Sequence, residues 1–119
     1  MQIIVKATNL DLTPAISDYI EAKIDPLGRF IKKFETKSEI KTEVEIARTT
    51  KHHRHGNIFY AEINLHLQRK ILRAEHSDWD IRIAIDKARD KMQQEIKKYK
   101  EASTSMETTR KKVRKLRGK

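Results

Sequence analysis

The hydrophobic period of this chain alternates between that of a strand and that of a helix, and the order of the changes leaves few folds open. Residues 2 to 8 alternate, with Ile3, Val5 and Ala7 on one side and Gln2, Lys6 and Thr8 on the other, as in a half-buried strand. From Pro14 the spacing lengthens. Ile16, Ile20, Ile24, Leu27 and Ile31 recur every three or four residues and build one apolar helical stripe reaching to about Phe34. Alternation then returns three times. Ile40, Val44 and Ile46 oppose Glu39, Lys41, Glu43 and Glu45; Phe59, Ala61, Ile63, Leu65 and Leu67 oppose Tyr60, Glu62, Asn64 and His66; Leu72 and Ala74 oppose Arg73 and Glu75. A second helical stripe follows in Ile81, Ile85, Ala88, Met92, Ile96 and Tyr99, placed to cover a sheet. The order is β-α-β-β-β-α, with the last three strands antiparallel in sequence.

Local signals set the boundaries. Thr13 before Pro14 reads as an N-cap followed by proline at the first helical position, where its missing N–H is no loss. Asp25-Pro26 interrupts the first helix and predicts a kink or a fresh start capped by Asp25, because proline inside a helix removes a donor and clashes with the preceding turn. Ser77 with Asp80 three residues on predicts a start of the second helix at about Asp78. Ala102, Ser103, Thr104, Ser105, Thr108 and Thr109 are poor helix interior, so order is expected to weaken there and leave residues 102–119 as a mobile basic tail beyond a domain at 1–101.

Charge is distributed unevenly over this pattern. Of the ten net positive charges on 119 residues, nine fall in residues 87–119, where thirteen Lys and Arg face four acids. A nearly neutral body with a cationic arm points to a polyanion, RNA foremost, although an anionic membrane surface would satisfy the same charge. At 100° per residue, Lys87, Lys91 and Lys98 line one edge of the second apolar stripe, and Arg82, Arg89 and Lys100 the other. Lys23, Arg29, Lys32 and Lys33 belong to the first helix. Flanking lysines also decorate ordinary amphipathic helices, so the asymmetry of the arm, rather than the flanking itself, favours phosphate binding.

Other chemistries find little support. The chain has no cysteine, which excludes disulfides, thiolate metal sites and a thiol nucleophile. His52, His53 and His55 lack acidic partners and sit beside Lys51 and Arg54, which oppose a cation. His66 and His76 have no nucleophile motif nearby, Glu39, Glu43 and Glu45 read as solvated acids on one strand face, and Trp79 reads as a packing residue. No cofactor is expected. The N-terminal residues do not form a signal peptide and no segment reaches membrane-spanning length, so a cytoplasmic protein without membrane contact is the expectation.

The segment Leu72-Arg73-Ala74-Glu75, then Asp80, Ala84-Ile85-Asp86, and the later Lys91, Gln94, Lys98 and Lys100 resemble the strand-to-helix junction of the bacterial hibernation-promoting factors, the ribosome-associated inhibitors. Thr13-Pro14-Ala15-Ile16 with Tyr19-Ile20-Glu21-Ala22-Lys23 is similar to that family's first helix, and the resemblance covers about residues 1 to 101. Two departures stand out. Arg82 occupies a position that is usually tyrosine, and Asp25-Pro26 breaks a helix that is usually continuous.

The resemblance implies an α+β fold, a four-stranded sheet with two helices packed on one face. It also implies a short-type factor in the decoding channel of the small ribosomal subunit, where Lys23, Arg29, Lys32, Lys33, Arg82, Lys87, Arg89, Lys91, Lys98 and Lys100 would hold rRNA phosphates. Messenger and A- and P-site tRNA would be excluded sterically, silencing translation in stationary phase or stress, alone or with a separate ribosome modulation factor. No catalysis is implied. The rival expectation is a scaffolding or regulatory domain whose basic arm docks an acidic protein or a lipid surface; a nuclease would need a metal-binding carboxylate cluster that Asp78, Asp80 and Asp86 do not form.

Overall fold

The computed structural model of the chain describes residues 1–34, 39–49 and 58–117, with only the backbone described at residue 33 and at 104–117. Strand β1 (Gln2–Thr8) leads to helix α1 (Pro14–Ile24), a 3₁₀ turn (Asp25–Leu27), the short helix α2 (Gly28–Ile31) and a second 3₁₀ turn (Lys32–Phe34). Strands β2 (Lys41–Thr49), β3 (Ile58–His66) and β4 (Ile71–Asp78) follow, and helix α3 runs over Ile81–Arg117. The sheet has the order β1-β2-β3-β4, with β1 parallel to β2 and the other pairs antiparallel. A parallel pair cannot be joined by a tight turn, so α1 and α2 form the crossover between β1 and β2. No described helix is long and apolar enough to cross a membrane.

The start of α1 is the one its residues specify. Thr13 is extended (φ −75°, ψ 157°), its Oγ1 accepts from the N–H of Ile16 at 3.2 Å, and Pro14 fills the first helical position. Before it, Asn9 takes a left-handed φ of 60°, a conformation that asparagine tolerates better than most residues. The break at Pro26 is present, but Asp25 does not cap the restart. The N–H of Asp25 still bonds to the carbonyl of Glu21, the ladder then tightens to the 3₁₀ turn, and α2 begins behind Leu27 without any side-chain cap. Tightening the turn accommodates a residue that has no N–H to offer.

The other corrected boundary is the start of α3. Ser77 is still paired with Tyr60, and Asp78 with Phe59, so the β3–β4 ladder holds the segment that was expected to open the helix. Asp80 is the cap instead: its Oδ1 accepts from the N–H of Arg82 at 2.8 Å and of Ile83 at 3.4 Å, while its carbonyl accepts from Ala84. Asp78 turns its Oδ1 to the N–H of Trp79 at 2.8 Å.

One face of the sheet meets both helices. Val44 and Ile46 of β2, Ala61, Ile63 and Leu65 of β3, and Leu72 and Ala74 of β4 are buried beneath Ile20 and Ile24 of α1, Leu27, Ile31, and Ala84, Ile85, Ala88, Met92 and Ile96 of α3. Ile3, Val5 and Ala7 of β1 close one margin of this core, half-buried. Thr42 lies among these apolar side chains with its Oγ1 fully buried and without a hydrogen-bond partner. Among the described side chains, Tyr99 is the last hydrophobic residue of α3 packed on the core, and the helical backbone continues to Arg117, roughly 27 Å farther.

Candidate nucleic-acid interface

The cations of α1 and α3 meet around one ring. Lys23 Nζ lies 5.5 Å and Arg82 Cζ 5.4 Å from the centroid of Tyr19, both within cation–π range. The Tyr19 hydroxyl donates to Asp86 Oδ1 at 2.6 Å, and Lys23 Nζ lies 3.6 Å from the same oxygen. Burial, reinforced by this hydrogen bond and by the charge of Asp86, pushes the phenol of Tyr19 up to about 12. Two cations, Lys23 and Arg82, thus meet around one ring with Asp86 between the helices and Asp80 nearby.

Farther along the seam between the two helical segments, Lys100 Nζ sits 5.6 Å over the ring of Phe30. Phe30, Gln93, Ile96, Lys97 and Lys100 line a small groove of about 220 Å³ there. Lys97 was not among the cations singled out from the sequence, because it lies farther from the apolar stripe than Lys100. Rotation by 100° per residue nevertheless puts it on the side of Gln93 and Asp86, and that periodicity was the available signal. Arg29 and Lys32 are exposed on α2 and the turn behind it, and the side chain of Lys33 lies outside the described residues.

The second row of cations runs along the opposite side of α3, beside the edge strand β4. Lys91 Nζ donates to the carbonyl of Glu75 at 3.0 Å and lies 3.2 Å from His76 Nδ1, so it is anchored to the strand. Lys87 and Lys98 are exposed, and Lys98 makes an open i,i+3 contact with Glu95 at 3.5 Å. Arg89 is half-buried, with NH1 on Asp90 Oδ1 at 3.2 Å. The structure therefore brings Lys23 together with Arg82, and Lys97 with Lys100, and puts the Lys87, Lys91 and Lys98 row on a separate side.

The uncovered face of the sheet carries the opposite character. Register aligns Glu45, Glu62 and Glu75 across β2, β3 and β4, an unfavourable row offset by Tyr60 and Arg73. The Tyr60 hydroxyl oxygen lies 2.8 Å from Glu62 and 2.5 Å from Glu75, its one proton shared between the two carboxylates, while Arg73 reaches Glu62 at 3.3 Å and Glu75 at 3.0 Å. The hydroxyl of Tyr60 and then Arg73 hold Glu75 below the usual carboxylate range, and burial with these carboxylates raises Tyr60 above an ordinary phenol. Glu43 accepts from His66 at 2.7 Å and lies 3.6 Å from Lys41, and Glu39 faces the N-terminal ammonium at 3.2 Å. Among the described residues no three His, Asp or Glu side chains gather as a metal site; His52, His53 and His55 lie outside them. Trp79, expected as a packing residue, is 56% exposed on the turn between β4 and α3.

Comparison with known proteins gives these features a context. The sequence profile of the family "Sigma 54 modulation protein / S30EA ribosomal protein" matches residues 3–104. A ribosome hibernation promotion factor of Picosynechococcus sp. is 27% identical over 109 residues, 91% of this chain and 53% of that protein. The chain therefore spans about half the length of that relative. A ribosome hibernation promoting factor of Klebsiella oxytoca is 26% identical over 85% of this chain and 95% of its own length. Among solved structures, the Protein Y N-terminal domain of Thermus thermophilus matches with a TM-score of 0.66 at 29% identity, covering 83% of this chain and 99% of that one. A ribosomal subunit interface protein from Coxiella burnetii shares the fold at 17% identity, with a TM-score of 0.62 over 84% of this chain and 98% of that one.

Proposed function

The chain belongs to the sigma 54 modulation protein / S30EA ribosomal protein family, and from that premise we propose that it is a non-enzymatic ribosome hibernation factor of the cytoplasm. It binds rRNA in the decoding channel of the small subunit and excludes messenger and A- and P-site tRNA, which inhibits translation in stationary phase or stress. The observation that carries this reading is the pairing of Lys23 and Arg82, from different helices, over Tyr19, with Lys100 over Phe30 along the same seam. Aromatic rings position these cations at the surface, and Arg82 and Lys100 in particular remain available for phosphate contacts. Arg29, Lys32, Lys87, Arg89, Lys91 and Lys98 widen the cationic surface along α2 and α3, and Lys33 is counted with them from the sequence alone.

Such contacts position the protein without reading sequence, so inhibition follows from the volume it fills. The test is cell-free translation with the protein added in equal amount to ribosomes. Inhibition is expected for the native chain and is expected to be lost in Arg82→Glu combined with Lys100→Glu; inhibition that survives this pair removes the helix seam from the binding surface.

A further inference from the structure

Trp79 is the chain's single tryptophan, and more than half of it faces water. It stands on the rim of a groove of about 400 Å³ whose other walls include Ala15 and Ile16 of α1, Phe59 of β3, and Ile81 and Arg82 at the start of α3. An indole left exposed beside an apolar cleft forgoes much of the 150–250 Å² that an aromatic ring usually buries. Its backbone is nonetheless fixed, because Asp78 Oδ1 holds its N–H and Asp80 caps the helix one residue later.

We propose that this groove takes one unpaired nucleotide of an RNA strand, with the base stacked on Trp79 and the adjoining phosphate against Arg82. The proposal rests on the rRNA-binding reading above and narrows it to a single-stranded contact. Both signs of charge lie at this groove. Arg82 is held against Tyr19, with Lys23 over the same ring, and supplies positive charge for a phosphate. Asp80 also lines the groove, with its Oδ1 on the backbone N–H of Arg82, and Asp78 accepts from the N–H of Trp79 beside the indole; these carboxylates oppose a bare phosphate. Carboxylates there accept hydrogen bonds from the exocyclic amino groups of adenine, cytosine or guanine, whereas uracil offers only its ring N3–H and stacks more weakly than a purine. Base–aromatic stacking supplies affinity, and the acids supply a preference among bases.

Because Trp79 is alone, its fluorescence reports the contact directly. The 119-residue chain is titrated with single-stranded oligoadenylate, with oligouridylate, and with inorganic polyphosphate of matched charge, at one salt concentration. Saturable quenching by oligoadenylate, weaker quenching by oligouridylate and none by polyphosphate is the expected result. Quenching by polyphosphate equal to that by RNA, or none by either RNA, overturns the proposal.

In parallel, the affinity of dye-labelled oligoadenylate is expected to fall about tenfold in Trp79→Ala, to be largely retained in Trp79→Phe, and to fall in Arg82→Glu. Unchanged affinity in Trp79→Ala also overturns it, and circular dichroism checks that this exposed substitution leaves the fold in place. A native chain that sediments with small subunits while its tryptophan ignores oligoadenylate keeps the ribosomal reading and loses this one. Quenching by oligoadenylate from a chain that ignores small subunits does the reverse.

Discussion

The hydroxyl of Tyr19 donates to Asp86 Oδ1 across 2.6 Å and ties α1 to α3 through two residues 67 positions apart in the chain. The same carboxylate draws in Lys23, so one acid holds both the tyrosine that carries the paired cations and one of the cations itself. Packing and function meet at this contact.

Removing the hydroxyl in Tyr19→Phe keeps the ring and deletes the bond. A loss of about 1 kcal/mol is expected, since the acceptor is charged but only partly buried. The phenol rises from an ordinary 10.0 to about 12 on folding, so the folded chain holds that proton more tightly than the unfolded chain does. The stabilisation is therefore complete below pH 10 and is lost as pH climbs toward 12. Tyr60 is shifted in the same direction, so Tyr19→Phe is expected to flatten part, not all, of the alkaline decline in denaturant midpoints. A decline identical in native and variant chains would count against the Tyr19–Asp86 bond.

Thr42 offers a gain instead. Its hydroxyl is buried without a partner near the start of β2, beneath the helices. Valine has nearly the same shape and no polar atom to desolvate, so Thr42→Val is expected to stabilise the fold by about 1 kcal/mol and raise the melting temperature by roughly 4 °C. A lower melting temperature would show that the hydroxyl has a partner after all.

The two cationic sides of α3 can be separated by charge reversal. Lys87→Glu, Lys91→Glu and Lys98→Glu together are expected to abolish binding to the small subunit while helix content is unchanged, because these positions flank the core and do not fill it. Unaltered binding would rule that face out and leave the seam of Lys23, Arg82 and Lys100 as the whole contact. Lys91 is the instructive member of the set, since releasing it from the carbonyl of Glu75 also frees a backbone acceptor at the sheet edge.

Most of the fold was legible in the periodicity. Ile20, Ile24, Leu27 and Ile31 and the Ile85, Ala88, Met92 and Ile96 stripe are all buried as their spacing requires. What spacing cannot weigh is competition between elements for the same residues. Ser77 and Asp78 carry helix-start signals, yet pairing with Tyr60 and Phe59 keeps them in β4 and hands the cap to Asp80. Thr42 was passed over because alternation counts apolar residues, and Ala84 because it stands just off the stripe's regular steps, although both are fully buried. The cations of the interface were visible as a list, but their partition was not. Only tertiary contacts pair Lys23 with Arg82 over Tyr19 and fasten Lys91 to β4. The exposure of Trp79 likewise depends on where the β4–α3 turn points, which hydrophobicity alone misreads.

The central claim is occupation of the decoding channel through phosphate contacts, and co-sedimentation with purified small subunits tests it most directly. Protein and subunits are centrifuged through sucrose with and without messenger and initiator tRNA, at low and raised salt. Six to ten phosphate contacts imply an affinity loss on the order of a thousand to a hundred thousandfold over that salt change. The expected result is stoichiometric binding that messenger and tRNA displace and that salt weakens steeply. Absence of binding, or binding indifferent to messenger, tRNA and salt, would contradict the account and favour a domain whose basic arm docks an acidic protein or lipid surface.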